Sequence, residues 1–302
     1  MNKVFVLPAN EDWCIDQFVN DWNRYNSDVS VTDYNRADVI WLLADFAWTH
    51  VPIKLLREKK VITTVHHVVP QKFDKNAEFE FNMRDSITSV YHVYNDRAYQ
   101  FVKQHSNKRI VLINYWANNN IWRVTGQQNE FRKKFSIPED AYVVGSFQRD
   151  TEGAGISRGV FLPKLEKGPD ILCDYLAQSQ TKKLHVLLAG WRRQYVESRL
   201  LSSGINYTYF ERPDQPTLNE LYQCCDIYPI PARFEGGPQA LIECGLTGVP
   251  VISRPVGIAE QLLPSSAINS ELSLATPVVP NIPADWRIPT GFEKYRKLIS
   301  EL

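Results

Sequence analysis

Two carboxylates flank a tight turn in the second half of the chain. Glu235 and Glu243 have seven residues between them. Gly236, Gly237 and Pro238 directly follow the first carboxylate. The glycines permit a sharp bend, and the proline, whose φ is fixed and which has no N–H to lose, suits the first position of a helix. The sequence therefore predicts a helix that begins at Pro238, with Glu235 before it and Glu243 inside it.

The start of this predicted helix is suited to a phosphate. The first amides of a helix have no partner inside it, and they lie at the positive end of the helix dipole. Here they belong to Gln239, Ala240 and Leu241. Carboxylates on either side of a bound phosphate can reach two different parts of one ligand. A sugar nucleotide has that shape.

Two basic residues are expected to face the same ligand. Arg149 follows the predicted strand Tyr142–Phe147, and Lys167 stands directly before a predicted helix. Fixed cations aimed at a diphosphate leaving group stabilise the charge that develops as the glycosidic bond breaks. Arg158, in the extended loop Thr151–Leu165, is the alternative to Arg149 as the diphosphate-binding arginine.

Other candidates lie at the ends of predicted strands. Gly190 either lets the backbone approach a nucleotide or simply closes a turn. His66 and His67 end a strand, from which a histidine can face a cleft between domains, although an exposed or structural pair is the alternative. Asp45 is a cleft candidate that a helix cap explains equally well. The flanking Arg233 and Arg254 could bind a ligand or pair with an acid, and the sequence does not decide between these roles.

Short apolar runs alternate with amphipathic segments along the chain, which is typical of an α/β protein with parallel sheets. Predicted strands are Lys3–Leu7, Val39–Leu43, Val61–Val65, Ser89–Val93, Ile110–Ile113, Tyr142–Phe147, Leu184–Ala189, Tyr207–Phe210, Ile227–Ile230 and Val249–Ile252. Helices are predicted after Lys167, after Gly190, at Thr217–Cys225 and at Pro238–Leu246, and those of the first half are poorly marked.

A segment rich in Asn and Gln, residues 117–129, is the best linker candidate. We therefore predict an N-terminal domain at residues 1–125, a nucleotide-sugar-binding domain at 126–288 and a C-terminal helix within 289–302. The second domain reads as doubly wound, so that ligands bind beyond the carboxyl ends of its strands. Gly190, Glu235 and the Gly-Gly-Pro turn all fall at that edge.

Composition excludes several classes of protein. Lys plus Arg and Asp plus Glu balance at 34 each, which gives no support for binding to nucleic acid. The five cysteines show no zinc or redox spacing, and no apolar run approaches the ~20 residues of a spanning helix. No basic leader is present in residues 1–10, so we expect a cytoplasmic protein. No glycine occurs before Gly126, which excludes a P-loop or a dinucleotide fingerprint from the first half.

The segment around the two carboxylates resembles the signature of the family 4 retaining glycosyltransferases, which have an E-x7-E element and the fold called GT-B. The resemblance extends from about Tyr142 to Leu262. It implies two Rossmann-like doubly wound domains facing a cleft, here with a small N-terminal domain, and a last helix that crosses back to that domain. It further implies that Glu243 holds the nucleotide ribose, that Glu235 contacts the donor sugar, and that His66 does so as well.

Two positions depart from the family pattern. Ser146 occupies the place where members usually have the diphosphate-binding arginine, so Arg149 is a substitute for it. The loop after the first strand, residues 8–12, lacks the glycines that shape this loop in many members. The resemblance therefore does not extend to the sugar contacts of that loop.

Together these features predict a retaining glycosyltransferase that moves a hexose-type sugar from a nucleoside diphosphate to a hydroxyl acceptor, a glycan or a lipid-linked saccharide. No D-x-D pair occurs, so we expect no metal and no cofactor, with Arg149, Lys167 and helix amides in the place of a cation. Polysaccharide assembly is expected by analogy only. A lipid-linked acceptor would bring the protein to the inner face of a membrane. The alternatives are a catalytically inactive nucleotide-sugar-binding protein and enzymes of the same architecture, a sugar-nucleotide epimerase or a phosphorylase.

Overall fold

The computed structural model describes residues 2–11 and 14–302. Met1, in the predicted N-terminal domain, and Asp12, in the predicted loop after the first strand, lie outside the described residues. The chain divides into two compact units. Unit 1 comprises Met1–Asn118 with Ala284–Leu302, and unit 2 comprises Asn119–Pro283. The predicted domain boundaries lie after residues 125 and 288.

Unit 1 is built on a parallel five-stranded sheet in the order β1-β2-β3-β4-β5. The strands are β1 (Val4–Val6), β2 (Val39–Leu42), β3 (Lys60–Val65), β4 (Val90–Val93) and β5 (Arg109–Leu112). A single parallel bridge from Val4 to Ser30 lies on the other side of β1 from β2. The chain therefore passes to both sides of β1, and the reversal point of this doubly wound sheet lies between β1 and β2.

The helices of the first part of unit 1 are α1 (Cys14–Tyr25), α2 (Ile53–Glu58), α3 (Lys75–Ile87) and α4 (Asp96–His105). N-cap side chains mark the first residues of α3 and α4. Asp74 accepts hydrogen bonds from the amides of Asn76 and Ala77, and Asn95 accepts one from Ala98. β2 is buried along its whole length, as expected for a strand covered on both faces.

Unit 2 has strands β6 (Tyr142–Ser146), β7 (Leu184–Ala189), β8 (Asn206–Phe210), β9 (Tyr228–Ile230) and β10 (Val251–Ser253). β6, β7 and β8 are consecutive parallel neighbours, and β9 pairs with β10. A parallel bridge from Val144 to Ile227 joins β6 to β9, so the five strands run β8-β7-β6-β9-β10. The order reverses between β6 and β9, and a crevice at the carboxyl ends of these two strands is where such sheets bind ligands.

The helices of unit 2 are α5 (Gln128–Lys134), α6 (Pro169–Gln178), α7 (Gln194–Ser202), α8 (Gln215–Gln223), α9 (Gln239–Thr247) and α10 (Ala259–Leu262). The prediction of strands joined by helices is confirmed for both units. The α9 helix stops at Gly248, whose φ of +79° is the left-handed conformation that a helix end needs and that glycine adopts without strain.

A last helix, α11 (Glu293–Ser300), belongs to unit 1. Tyr295 stacks on Trp41 of β2 at a centroid distance of 5.1 Å, and its hydroxyl donates to the carbonyl of Asn114. Arg296 makes two hydrogen bonds to the carboxylate of Asp28. Among residues 2–11 and 14–302, no helix combines the length and the apolar character that crossing a bilayer would need.

Candidate functional site

Two glycines allow close packing at the crevice between β6 and β9. A Cβ on Gly145 would lie 2.6 Å from the Sγ of Cys225, so no larger residue fits in β6 there. A Cβ on Gly168 would lie 2.0 Å from the carbonyl oxygen of Pro231, just after β9, and Gly168 has a φ of +66°. Gly168 therefore brings the preceding lysine directly onto the end of β9.

That lysine, Lys167, forms an ion pair with Glu235. The two side chains keep 19% and 13% of their surface exposed, so the pair remains open to a ligand. Gln148, beyond the end of β6, donates from its side-chain amide to the carbonyl of Lys167 at 2.8 Å. The structure thus brings Lys167 and Glu235, both predicted site residues, together at the point where the strand order reverses.

The start of α9 differs in detail from the predicted start. Pro238 is the N-cap, and the helix begins at Gln239, because the Pro238 ψ of 115° is not helical. The Leu241 amide, predicted to be available to a phosphate, donates to the Pro238 carbonyl at 3.0 Å. The amides of Gln239 and Ala240 remain the candidates. The side-chain nitrogen of Gln239 is buried and has no hydrogen-bond partner among the described residues.

Glu243 lies one turn into α9 and pairs with a tyrosine of α8. The Tyr222 hydroxyl donates to its carboxylate at 2.5 Å. Burial raises the pKa of Glu243 to about 7, and the Tyr222 hydrogen bond partly opposes this rise. The carboxylate therefore takes up a proton closer to neutral pH than an exposed glutamate does.

The buried arginine beside β6 is one that the sequence analysis missed. Arg193 is fully buried, and its Nε donates to Asp150 at 2.6 Å. It also donates to the Ala189 carbonyl at 2.7 Å and to the Ser146 Oγ at 2.8 Å. Because every one of these partners is protein, Arg193 holds the ends of β6 and β7 together. Arg149 lies elsewhere, with its guanidinium carbon 4.7 Å from the ring centroid of Trp191.

The remaining basic candidates of unit 2 have protein partners or lie in solvent. Arg233 makes two hydrogen bonds to Asp170, of 2.7 and 2.6 Å, and so does not pair with Glu235. Arg254 donates to the carbonyl of Ser270. Arg158 is exposed in a short 3₁₀ turn. Gly190 has a φ of +99°, and its amide donates to the Phe210 carbonyl, which extends the pairing of β7 with β8 by one residue.

In unit 1, His66 follows the carboxyl end of β3. One of its ring nitrogens lies 2.8 Å from the Leu43 carbonyl oxygen, and the ring leans on Tyr94. Asp45 lies 3.6 Å from Arg84. Burial raises the pKa of Asp45, although Arg84 and His66 lower it. His66 and Asp45 thus belong to one polar cluster within unit 1, while His67 is exposed.

The loop after β1 has no glycine, and an asparagine takes the conformation that glycine would supply. Asn10 has a φ of +57°. The Asp16 carboxylate accepts from the amides of Ala9, Asn10 and Glu11 at 2.8, 2.9 and 2.8 Å. Hydrogen bonds to Asp16 therefore hold the described part of this loop.

Comparison with known proteins agrees with this geometry. Residues 158–271 match the family model described as "Glycosyl transferases group 1". No curated protein sequence matches the chain. Among solved structures, HepE of Anabaena in complex with UDP and glucose is similar with a TM-score of 0.69 at 14% identity, over 88% of this chain and 84% of that one.

Two further solved structures show the same fold. WaaG, a glycosyltransferase involved in lipopolysaccharide biosynthesis, has a TM-score of 0.60 at 14% identity, over 84% of this chain and 81% of that one. Sucrose-phosphate synthase from Thermosynechococcus elongatus has a TM-score of 0.59 at 17% identity, over 83% of this chain and 63% of that one. The chain therefore has the α/β fold of the GT-B glycosyltransferases, as the sequence predicted.

Proposed function

We propose that the protein is a glycosyltransferase that moves a sugar from a nucleoside diphosphate to a hydroxyl acceptor, with retention of the anomeric configuration and without a bound metal. The observation that carries this proposal is the ion pair of Lys167 and Glu235, which lies beside the start of α9 where the strand order reverses. The match of residues 158–271 to a glycosyltransferase family model supports it.

The diphosphate is proposed to bind between Lys167 and the amides of Gln239 and Ala240. Charge that accumulates on the leaving diphosphate would be stabilised by the ammonium group and by the positive end of α9. Arg149, beyond the end of β6, is proposed as a second cation for this group. A metal is not needed in this scheme because fixed cations and helix amides supply the positive charge.

The carboxylates are proposed to hold the two ends of the donor. Glu243 would accept hydrogen bonds from the ribose hydroxyls, and Glu235 would position the sugar and stabilise positive charge at its ring. His66, in unit 1, is proposed as a further donor-sugar contact on the resemblance alone. An oxygen of the leaving phosphate would take the proton of the acceptor hydroxyl, so that no protein side chain need act as general base.

The acceptor is proposed to be a glycan or a lipid-linked saccharide, and a cytoplasmic location follows from the same proposal. The complexes of HepE with UDP-glucose make this donor the first to test. We expect UDP-glucose or a related sugar nucleotide to raise the thermal midpoint of the protein. At 100 times the dissociation constant, a bound donor adds about 2.7 kcal/mol to the free energy of unfolding.

Release of the nucleoside diphosphate should then depend on an added acceptor extract. Release without acceptor, together with a rearranged sugar, would identify an epimerase. Binding of the donor without any release would identify an inactive binding protein. If none of the UDP-, GDP-, ADP- or dTDP-sugars shifts the thermal midpoint, the proposal is wrong.

A further inference from the structure

A pocket of about 520 Å³ lies within unit 1, between α1, the end of β1 and residues 30–32. Sites for small molecules usually have volumes of about 300–1,000 Å³. Ser30 bridges to Val4 on the side of β1 that is away from β2. The pocket therefore lies next to the crevice between β1 and β2, where a doubly wound sheet usually binds its ligand, and not in that crevice.

The face of α1 that borders the pocket is polar. Asp16, Asn20 and Asn23 line the pocket, and separations of four and three residues place them on one side of the helix. Phe18 and Trp22 of the same helix are buried in unit 1. The helix thus packs through its apolar side chains and leaves a row of hydrogen-bonding side chains at the pocket.

Two buried polar atoms at this place have no hydrogen-bond partner among the described residues. They are the side-chain oxygen of Asn23 and the hydroxyl oxygen of Ser30, which precedes the pocket-lining Val31. Buried polar groups in native proteins are nearly always paired, because an unpaired one destabilises the fold. A rotation of the Asn23 side chain towards the pocket would let a ligand supply the missing hydrogen bond.

The wall that the loop after β1 contributes to the pocket is fixed before any ligand binds. Pro8 and Asn10 of this loop line the pocket. Asp16 accepts hydrogen bonds from the loop amides of Ala9, Asn10 and Glu11. Asn10 has a φ of +57°, which residues other than glycine seldom adopt and which recurs at ligand sites. A ligand would therefore bind without first having to order the described part of this loop.

The polar part of the lining suits a ligand rich in hydroxyl groups. It includes the side-chain amides of Asn10, Asn20 and Asn23 and the hydroxyl of Thr32. Amides and hydroxyls both donate and accept hydrogen bonds, as the hydroxyls of a sugar do. Asp16 is the one charged side chain among the lining residues that the structure describes, and its carboxylate would repel a phosphate. The lining therefore favours an uncharged saccharide over a phosphorylated one.

The apolar part of the lining suits the C–H face of a sugar ring. Phe5, Val19 and Val31 contribute it. The half-buried Phe5 ring is held edge-on to Tyr34, with 5.7 Å between the ring centroids. Small-molecule sites commonly combine an apolar surface with a few polar groups that orient the ligand. Both parts of that combination are present here.

We propose that this pocket binds an uncharged saccharide unit of the acceptor, one that is remote from the hydroxyl group that reacts. Its fit to a saccharide follows from the lining, and its assignment to the acceptor rests on the proposed function. Neighbouring strands are about 4.8 Å apart, so the pocket is roughly one strand spacing from the reversal point of the sheet. A chain of two or more sugar residues can occupy both places, which defines the acceptor class as oligosaccharides rather than single sugars.

The test is a titration of the full chain with five neutral disaccharides, followed by saturation-transfer NMR. The disaccharides are maltose, cellobiose, lactose, diacetylchitobiose and trehalose. We expect saturable binding of at least one of them. Asn20→Ala and Asn23→Leu should each weaken that binding about tenfold, the loss of about one hydrogen bond. Trehalose 6-phosphate should bind no more tightly than trehalose, because the described lining has no cation.

Stability separates a binding role of Asn23 from a structural one. Asn23→Leu keeps the size of the side chain and removes the unpaired buried oxygen, so it should raise the thermal midpoint while it weakens saccharide binding. An asparagine that served only the fold would lower the midpoint when replaced. The matched control for Asn20→Ala is Asn82→Ala, because Asn82 is also exposed on a helix, α3, but does not line the pocket. This variant should bind the disaccharide as the unchanged protein does.

Four results would overturn the proposal: no saturable binding of any of the five disaccharides, an equal loss in Asn82→Ala, a lowered midpoint with unchanged binding in Asn23→Leu, or tighter binding of trehalose 6-phosphate that Asn20→Ala weakens. The thermal shift of the unchanged protein with UDP-glucose tests the proposed function separately. If no sugar nucleotide binds while Asn20→Ala and Asn23→Leu still lose the disaccharide, the saccharide site stands and its assignment to an acceptor is wrong.

Discussion

Two pairs of a cation and a carboxylate lie at the same edge of the unit 2 sheet, and they differ in how many hydrogen bonds they leave available. Arg193 and Asp150 are 0% and 1% exposed, and the arginine also donates to backbone and hydroxyl oxygens of the protein. Lys167 and Glu235 retain 19% and 13% exposure. The first pair, called the saturated pair, has its hydrogen bonds to protein groups and holds the strand ends together. The second pair keeps donors and acceptors that a ligand can reach.

The largest effect is expected from breaking the saturated pair. Asp150→Ala leaves the Arg193 guanidinium buried without a countercharge, and such a loss costs about 3–5 kcal/mol of folding free energy. Urea unfolding followed by circular dichroism measures it. The control is the surface pair of Arg199 and Asp174, 39% and 62% exposed, whose removal should cost less than ~1 kcal/mol. Similar losses in both variants would contradict the assigned difference between buried and exposed pairs.

The second prediction is that breaking the partly exposed pair impairs turnover more than stability. Lys167→Met should slow sugar transfer about a hundredfold, or about 3 kcal/mol of transition-state stabilisation. It should cost less unfolding free energy than Asp150→Ala, because Glu235 keeps 13% of its surface exposed and water can solvate its carboxylate. Diphosphate release under saturating donor, together with urea unfolding, measures both quantities. A variant that loses stability as Asp150→Ala does, yet transfers sugar at the normal rate, would reverse the two roles.

Sequence patterns predicted the strands and helices better than they predicted which side chains pair with each other. The apolar run Leu184–Ala189 is the strand β7 with the same bounds. Helix α9 begins one residue later than predicted, because Pro238 has a fixed φ but takes an extended ψ. The proline ring restricts only the first of these two angles, so the sequence could not settle the second.

The ion pairs could not be read in the same way. Asp150 and Arg193 are far apart in the chain, and an arginine in a Trp-Arg-Arg run looks like any exposed cation until β6 and β7 are set side by side. Lys167 and Glu235 were singled out because both match motif positions, yet their mutual contact depends on how closely Gly168 packs against Pro231.

A third prediction concerns the pH dependence of Glu243, a carboxylate that accepts a hydrogen bond from Tyr222 and has no ion pair with a cation in the part of the chain that the structure describes. Its pKa is raised to about 7 from 4.5, so the folded protein holds a proton that the unfolded chain releases at lower pH. This contribution stabilises the fold below pH 4.5 and is lost as the pH rises towards 7. Donor binding is expected to follow the opposite course, because the proposed hydrogen bonds from the ribose hydroxyls are stronger to the ionised carboxylate.

Donor affinity should therefore fall about tenfold for each pH unit below 7, the slope for loss of one carboxylate. Calorimetric titration with UDP-glucose between pH 5.5 and 8 measures it. Glu243→Gln should bind the donor more weakly at pH 8 and show a flat profile in both affinity and stability. An unchanged profile in this variant would show that another group titrates.

The smallest effect is expected from the hydrogen bond that partly stabilises the Glu243 carboxylate. The Tyr222 hydroxyl lowers the pKa of Glu243, so Tyr222→Phe raises it further. The midpoint of the pH profile of donor affinity should move to higher pH, with a few-fold loss of affinity at pH 7 and about 1 kcal/mol or less of lost stability. Phe147 and Tyr228 pack against the Tyr222 ring. The control is Tyr228→Phe, because the Tyr228 hydroxyl accepts from the Phe147 amide and is not the donor to Glu243. A shift of equal size in both variants would mean that packing in this aromatic group, rather than the hydroxyl, sets the protonation of the carboxylate.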